Sequence, residues 1–165
     1  MSDIDECYTS SKPADIAREL AAMKAQAVVD KQQNLGGTVV IGADTIVVLD
    51  GCIFSKPGDA TEAFDMLKQL QDRSHEVITG VALIATDIQG KQIVSTFAEH
   101  TTVHVGKMTD AEIETYIATG EPFDKAGGYG IQGPFARHVT GIEGDYFNVV
   151  GLPVSALYQR IKLLV

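Results

Sequence analysis

The chain has 165 residues, 45% of them hydrophobic and 21% charged, with 16 glycines and 5 prolines. At about 150 residues per domain, that predicts one domain with its own core and excludes the disordered, collagenous and low-complexity classes. Lysine and arginine number 13 against 22 aspartates and glutamates, a formal charge of -9, so the net field repels a phosphate backbone and no nucleic-acid partner is expected, although a few lysines focused in a cleft can still bind a small polyanion.

The amino terminus is acidic where a secretory signal is basic and then apolar, and no apolar run reaches the roughly 18 residues of a membrane span. Cys7 and Cys52 lie far apart without C-x-x-C spacing, which gives neither a disulfide framework nor a zinc knuckle. A reducing, cytoplasmic location without a membrane partner is the expectation.

Along the chain, residues 12–29 carry Ile16, Leu20, Met23 and Ala27 at helical spacing. Ser11 is placed to cap this helix, and Pro13 is tolerated in its first turn. After Asn34-Leu35-Gly36-Gly37, the runs Val39-Val40-Ile41 and Ile46-Val47-Val48-Leu49 flank Gly42-Ala43-Asp44-Thr45. These β-branched runs are too apolar for a solvated face and predict a buried central strand. Asp50-Gly51 signals a two-residue hairpin that returns Lys56-Pro57 toward Asp44.

Asp59 with Glu62 resembles a capping box opening a helix through Met66, Leu67 and Leu70, and Thr109 with Glu112 opens a second, carrying Ile113, Tyr116 and Ile117. Between them, residues 76–84 predict one strand and, after a turn at 87–90, residues 92–105 a long strand pair or one bent strand, making the sheet partly antiparallel. Residues 121–134 set glycines 127, 128, 130 and 133 among charges, the chemistry of a loop that lets backbone approach a ligand closely. Residues 139–142 predict a short strand, and Pro153 opens a last helix with Val154, Leu157, Ile161 and Leu164 on one stripe.

Several motifs fail on context. Gly128-x-Gly130-x-x-Gly133 matches the dinucleotide fingerprint but lacks the strand before it and the helix after it. His100 and His104 stand about 13 Å apart in an extended run, too far for one metal ion, and are expected to be structural or surface residues. No G-x-S-x-G elbow or phosphate loop ending in Lys-Ser or Lys-Thr is present. The remaining chemistry lies in Glu6, Asp44, Asp124, Glu143 and Asp145 with Lys24, Lys56 and Lys125. Asp44 stands out, because an acid between two apolar strand segments costs several kcal/mol to bury unless it is paired or binds a metal. Carboxylates and lysines around a glycine-rich loop suit phosphoanhydride hydrolysis assisted by Mg2+ or Mn2+.

Three blocks carry a resemblance: Val-Ile-Gly-Ala-Asp-Thr-Ile-Val with Asp50-Gly51 and Lys56-Pro57; Gly-Glu-Pro-Phe-Asp-Lys-Ala-Gly-Gly-Tyr-Gly-Ile-Gln-Gly; and Gly-Asp-Tyr-Phe-Asn-Val-Val-Gly-Leu-Pro. Together they resemble the Maf family of nucleoside triphosphate pyrophosphatases over nearly the whole chain. The resemblance implies an α/β fold with an elongated mixed sheet in two lobes, flanked by helices around a central cleft, as one domain over residues 1–165. It implies hydrolysis of nucleotides to the monophosphate and pyrophosphate with a divalent metal cation. In that reading Asp44 is the proton acceptor that activates water, Glu6 and Asp44 hold the metal, and Lys24 and Lys56 face the phosphates. Thr45 and Gln132 match the branch acting on dTTP and UTP, Lys125 matches a binding position and Asp145 a position without an assigned role, and a homodimer is implied.

The family opens with a strand and a Ser-x-Ser-Pro-Arg-Arg loop, which nothing before Ser2 supplies, and Arg18, Arg73, Arg137 and Arg160 lie in other blocks. A missing first strand and impaired activity are therefore expected, since lysine point charges do not replace bidentate arginine grips. The rival readings are an inactive nucleotide-binding protein regulating cell division and a purine-directed inosine triphosphate pyrophosphatase.

Overall fold

The computed structural model describes residues 12–32 and 34–164. The elements are α1 (Pro13–Val29), β1 (Thr38–Leu49), β2 (Cys52–Phe54), α2 (Ala60–Leu70), β3 (Ser74–Thr86), β4 (Gln92–Val105), α3 (Asp110–Ile117), β5 (Val139–Glu143), α4 (Tyr146–Val150) and α5 (Val154–Ile161). Three short 3-10 segments, Glu121–Asp124, Ala126–Gly128 and Pro134–His138, join α3 to β5. The α/β class is as expected. The five strands lie in the order β2-β1-β3-β4-β5, which puts β3 rather than β1 at the centre.

Every strand pairing among the described residues is antiparallel, so the described sheet is antiparallel where a mixed one was expected. The connections explain this: Asp50 and Gly51, both at positive φ, close the β1–β2 hairpin, residues 87–91 close the β3–β4 hairpin, and α2 carries the chain to an antiparallel strand beside β1. The two expected runs of β1 form one strand, and β4 is likewise continuous.

α1 buries an unexpected stripe. Ala17, Ala21, Ala25 and Val29 face the sheet, whereas Met23 is 67% exposed and Leu20 also reaches solvent. The cause lies in the strands: a Cβ on Gly42 would stand 2.8 Å from the Ala25 nitrogen, and one on Gly80 would stand 2.5 Å from the Arg18 nitrogen and overlap the Ala17 carbonyl. Helix backbone therefore rests on strand backbone, and only alanines fit between them. Lys12, with no side-chain bond capping the helix, occupies the capping position, and Ser11 lies outside the described residues.

The opposite face of the sheet is covered by two groups. Val47, Leu49 and Val77 pack with α2, α3, Tyr129 and Phe135, while Val81, Leu83 and Phe97 pack with Leu157 of α5. Both predicted caps form: the Asp59 side chain accepts from the Glu62 nitrogen, and Thr109 with Glu112 makes a reciprocal box. Glu62, however, reaches back to the Gly58 nitrogen, 2.7 Å away, and not to Asp59. No helix among the described residues is long and apolar enough to cross a membrane.

Candidate functional site

β2 pairs with β1 only from Val47 to Leu49, so the middle of β1 is bonded to β3 alone among the described residues. A cavity of about 340 Å³ wraps this stretch. Side chains alternate across a strand, so Asp44 approaches from the α1 face, while Ala43, Thr45 and Val47 line the cavity from the other face. The 121–133 segment and Val149 and Val150 of α4 complete the walls.

Asp44 sits opposite Gly80 of β3, and the close seating of α1 on that glycine brings Lys24 over the carboxylate. Lys24 Nζ donates to Asp44 Oδ1 at 2.5 Å and to the Ala43 carbonyl at 3.3 Å. The Asp44 side chain is 16% exposed and that of Lys24 59%. So open a pair contributes at most about 1 kcal/mol to stability; what it fixes is where the carboxylate stands. Asp44 Oδ2 makes no hydrogen bond to a described residue.

Lys56, returned by the β1–β2 hairpin as expected, lines the same cavity, as do Lys125, Thr45 and Gln132. Lys125 Nζ donates to Asp124 at 2.7 Å, and that bond, with the lysine charge, holds the Asp124 carboxyl below its usual range. Asp44, Lys24, Lys56, Lys125, Thr45 and Gln132 thus share one opening, with Asp124 at its rim. Glu143 and Asp145 do not. Glu143 pairs with His104 at 2.8 Å, and Asp145 caps α4 through the Phe147 nitrogen. Glu6 lies outside the described residues. His100 and His104 are structural as expected, bonded to Glu76 and Glu143.

Thr45 belongs to a hydroxyl chain with a fixed direction. Thr79 Oγ1 donates its one proton to the Asn148 carbonyl at 2.9 Å, so the 2.8 Å bond between Thr45 and Thr79 must be donated by Thr45. Thr45 therefore offers a ligand only lone pairs. Asn148 Nδ2 in turn donates to the Val77 carbonyl and Thr101, tying α4 to the sheet.

Sequence reasoning missed Glu121 and Tyr129. Tyr129 is buried, its hydroxyl 2.6 Å from His75 Nε2 and its ring packed on Phe135 at 4.6 Å; burial raises the phenol's pKa and lowers that of the His75 imidazole to about 4. An aromatic inside the glycine run was the available signal for a packed anchor. Glu121 borders Gly133, and the Tyr116 hydroxyl beside it has its pKa raised, first by burial and then by the Glu121 charge.

Among the described residues, no group of three His, Cys, Asp or Glu side chains converges on a metal position. A Mg2+ ion does not demand one, since it commonly takes one or two carboxylates together with phosphate oxygens of its ligand, and the Asp44 oxygen that bonds no described residue, beside the lysines, fits that donor set.

The chain is 50% identical over 163 residues to a protein of Halalkalibacterium halodurans named dTTP/UTP pyrophosphatase, a match spanning 98% of this chain and 82% of that relative. Relatives of the same name from Chlorobaculum parvum and Koribacter versatilis are 51% and 49% identical, over 98% and 96% of this chain and 80% and 79% of their own lengths. The sequence model of the family described as Maf-like protein matches residues 1–164, and the chain belongs to the Maf family.

Proposed function

We propose that the protein hydrolyses dTTP and UTP to the monophosphate and pyrophosphate. The observation that carries this reading is the Lys24–Asp44 pair, 2.5 Å apart, opening into a cavity shared with Lys56, Lys125 and Gln132. The names of the relatives support the substrate class.

In this reading the lysines draw in and orient the triphosphate, as ammonium groups do at phosphates. Asp44 accepts a proton from water as its oxygen bonds to the α-phosphorus; the bond from that phosphorus to the bridging oxygen breaks, and pyrophosphate leaves. Lys24 fixes the carboxylate for this step. A divalent cation, Mg2+ or Mn2+, would supply neutralisation of the phosphate charge, held by Asp44 and, by family resemblance, Glu6. By family resemblance, Thr45 and Gln132 would serve the choice of base.

The test is pyrophosphate release from dTTP, UTP and ITP by the full chain and by Asp44→Asn. The expected result is release from the two pyrimidine nucleotides and a loss of about a thousandfold or more in Asp44→Asn, with the unfolding midpoint nearly unchanged. Faster turnover of ITP than of dTTP, or undiminished turnover by Asp44→Asn, would refute the assignment.

A further inference from the structure

We propose that Glu121 selects the base, its carboxylate accepting the ring imide N–H of uracil or thymine. This deepens the pyrimidine reading above and rests on it.

Glu121 Oε2 is enclosed and has no hydrogen-bond partner among the described residues. An acceptor left unmet in a protein interior is unfavourable until a donor arrives, and Glu121 lines the cavity together with Gln132. The neighbouring glycines make room for it. A Cβ on Gly133 would stand 2.6 Å from Oε2 and overlap Oε1, and one on Gly130 would stand 3.0 Å from Oε1. The carboxylate thus lies flush against the backbone on both sides of Ile131-Gln132. Its own main chain is held by the Glu121 nitrogen donating to Thr119 Oγ1 at 3.2 Å. The Tyr116 hydroxyl receives the Gly130 nitrogen at 3.4 Å and hydrogen-bonds the Glu121 carboxylate, so Oε2 alone is the oxygen left unmet.

The chemistry then distinguishes pyrimidines. Uracil and thymine present acceptor, donor and acceptor along one edge, with the N–H in the middle, whereas cytosine carries a lone pair at that ring nitrogen. A carboxamide such as Gln132 offers both a donor and an acceptor and can turn to suit either base; an ionised carboxylate only accepts. Glu121 is therefore the group that rejects cytosine, by setting acceptor against acceptor. It pairs with the imide proton that dTTP and UTP share.

The experiment measures kcat/KM for pyrophosphate release from UTP and CTP with the full chain and with Glu121→Gln, and from N3-methyl-UTP with the unaltered chain. The expected outcome is a strong preference for UTP, a UTP to CTP ratio that falls about a hundredfold in Glu121→Gln, and N3-methyl-UTP turned over no better than CTP. Equal slowing of UTP and CTP in the variant, the signature of a loop support or a ribose contact, overturns the proposal, as does N3-methyl-UTP rivalling UTP, a readout that needs no variant to fold. Pyrophosphate from neither UTP nor dTTP overturns the pyrimidine reading and the proposal with it; release from UTP with an unchanged ratio overturns the proposal alone.

Discussion

Gly80→Ala separates two opposed physical effects. If only intrinsic preference mattered, alanine in place of a strand glycine would stabilise the fold by about 0.5–1 kcal/mol. Yet the new Cβ would stand 2.5 Å from the Arg18 nitrogen and overlap the Ala17 carbonyl. Ordinary contact begins near 3.4 Å, so α1 must back off by about 1 Å. Overpacking of this kind costs about 1–3 kcal/mol or somewhat more, which at a slope of about 1–3 kcal/mol per molar urea lowers the unfolding midpoint by roughly 1 M. Because Asp44 is the register partner of Gly80 and Lys24 rides on α1, the 2.5 Å pair opens as well, and pyrophosphate release should fall by up to about a hundredfold. Adding Ala17→Gly should not restore either quantity, since the atoms struck belong to the main chain. A Gly80→Ala midpoint equal to or above that of the parent would refute this account of how α1 is seated.

His75 gives a pH dependence. Its imidazole titrates at about 4 in the folded chain, chiefly through burial, against about 6.5 unfolded; between those values the unfolded chain binds the extra proton, so stability falls as pH falls through that window, by about 3 kcal/mol in all. Urea unfolding at pH 7 and pH 4.5 should show a smaller difference for His75→Gln than for the parent, and an equal difference would be inconsistent with a neutral buried imidazole. Thr109→Ala removes the side-chain acceptor of the Glu112 nitrogen and should destabilise by about 1 kcal/mol, a drop of about 2–4 °C in calorimetry, with pyrophosphate release unaltered because α3 lies outside the cavity wall.

The sequence was most informative where a local rule decides the structure. Thr109 with Glu112 and Asp50-Gly51 are such cases, because capping and tight turns need only near neighbours. Asp44 was legible for a different reason: an acid in an apolar strand demands a partner, although the lysine that pairs with it is Lys24 of α1 and not Lys56 returned by the hairpin. The seating of α1 was not legible. Ile16, Leu20 and Met23 carry a stronger apolar signal than Ala17, Ala21 and Ala25, but the stripe is chosen by Gly42 and Gly80 on strands far along the chain, so the spacing of α1 alone could not reveal it. Pairing direction likewise depends on how α2 delivers β3. Glu121 read as one more loop acid, because what distinguishes it is the company of Gly130, Gly133 and Tyr116 in space.

Val47 is both a wall of the cavity and a member of the main apolar cluster, packed with Leu49, Met66 and Leu67. Ligand fit and structural integrity are therefore coupled through one side chain. Redesign toward a bulkier nucleoside has little freedom along β1, since trimming Val47 to widen the chamber would leave a void beneath α2. Adaptation of the specificity of this scaffold is accordingly channelled to exposed positions of the 121–133 segment such as Gln132, and not to Tyr129, which packs on the sheet.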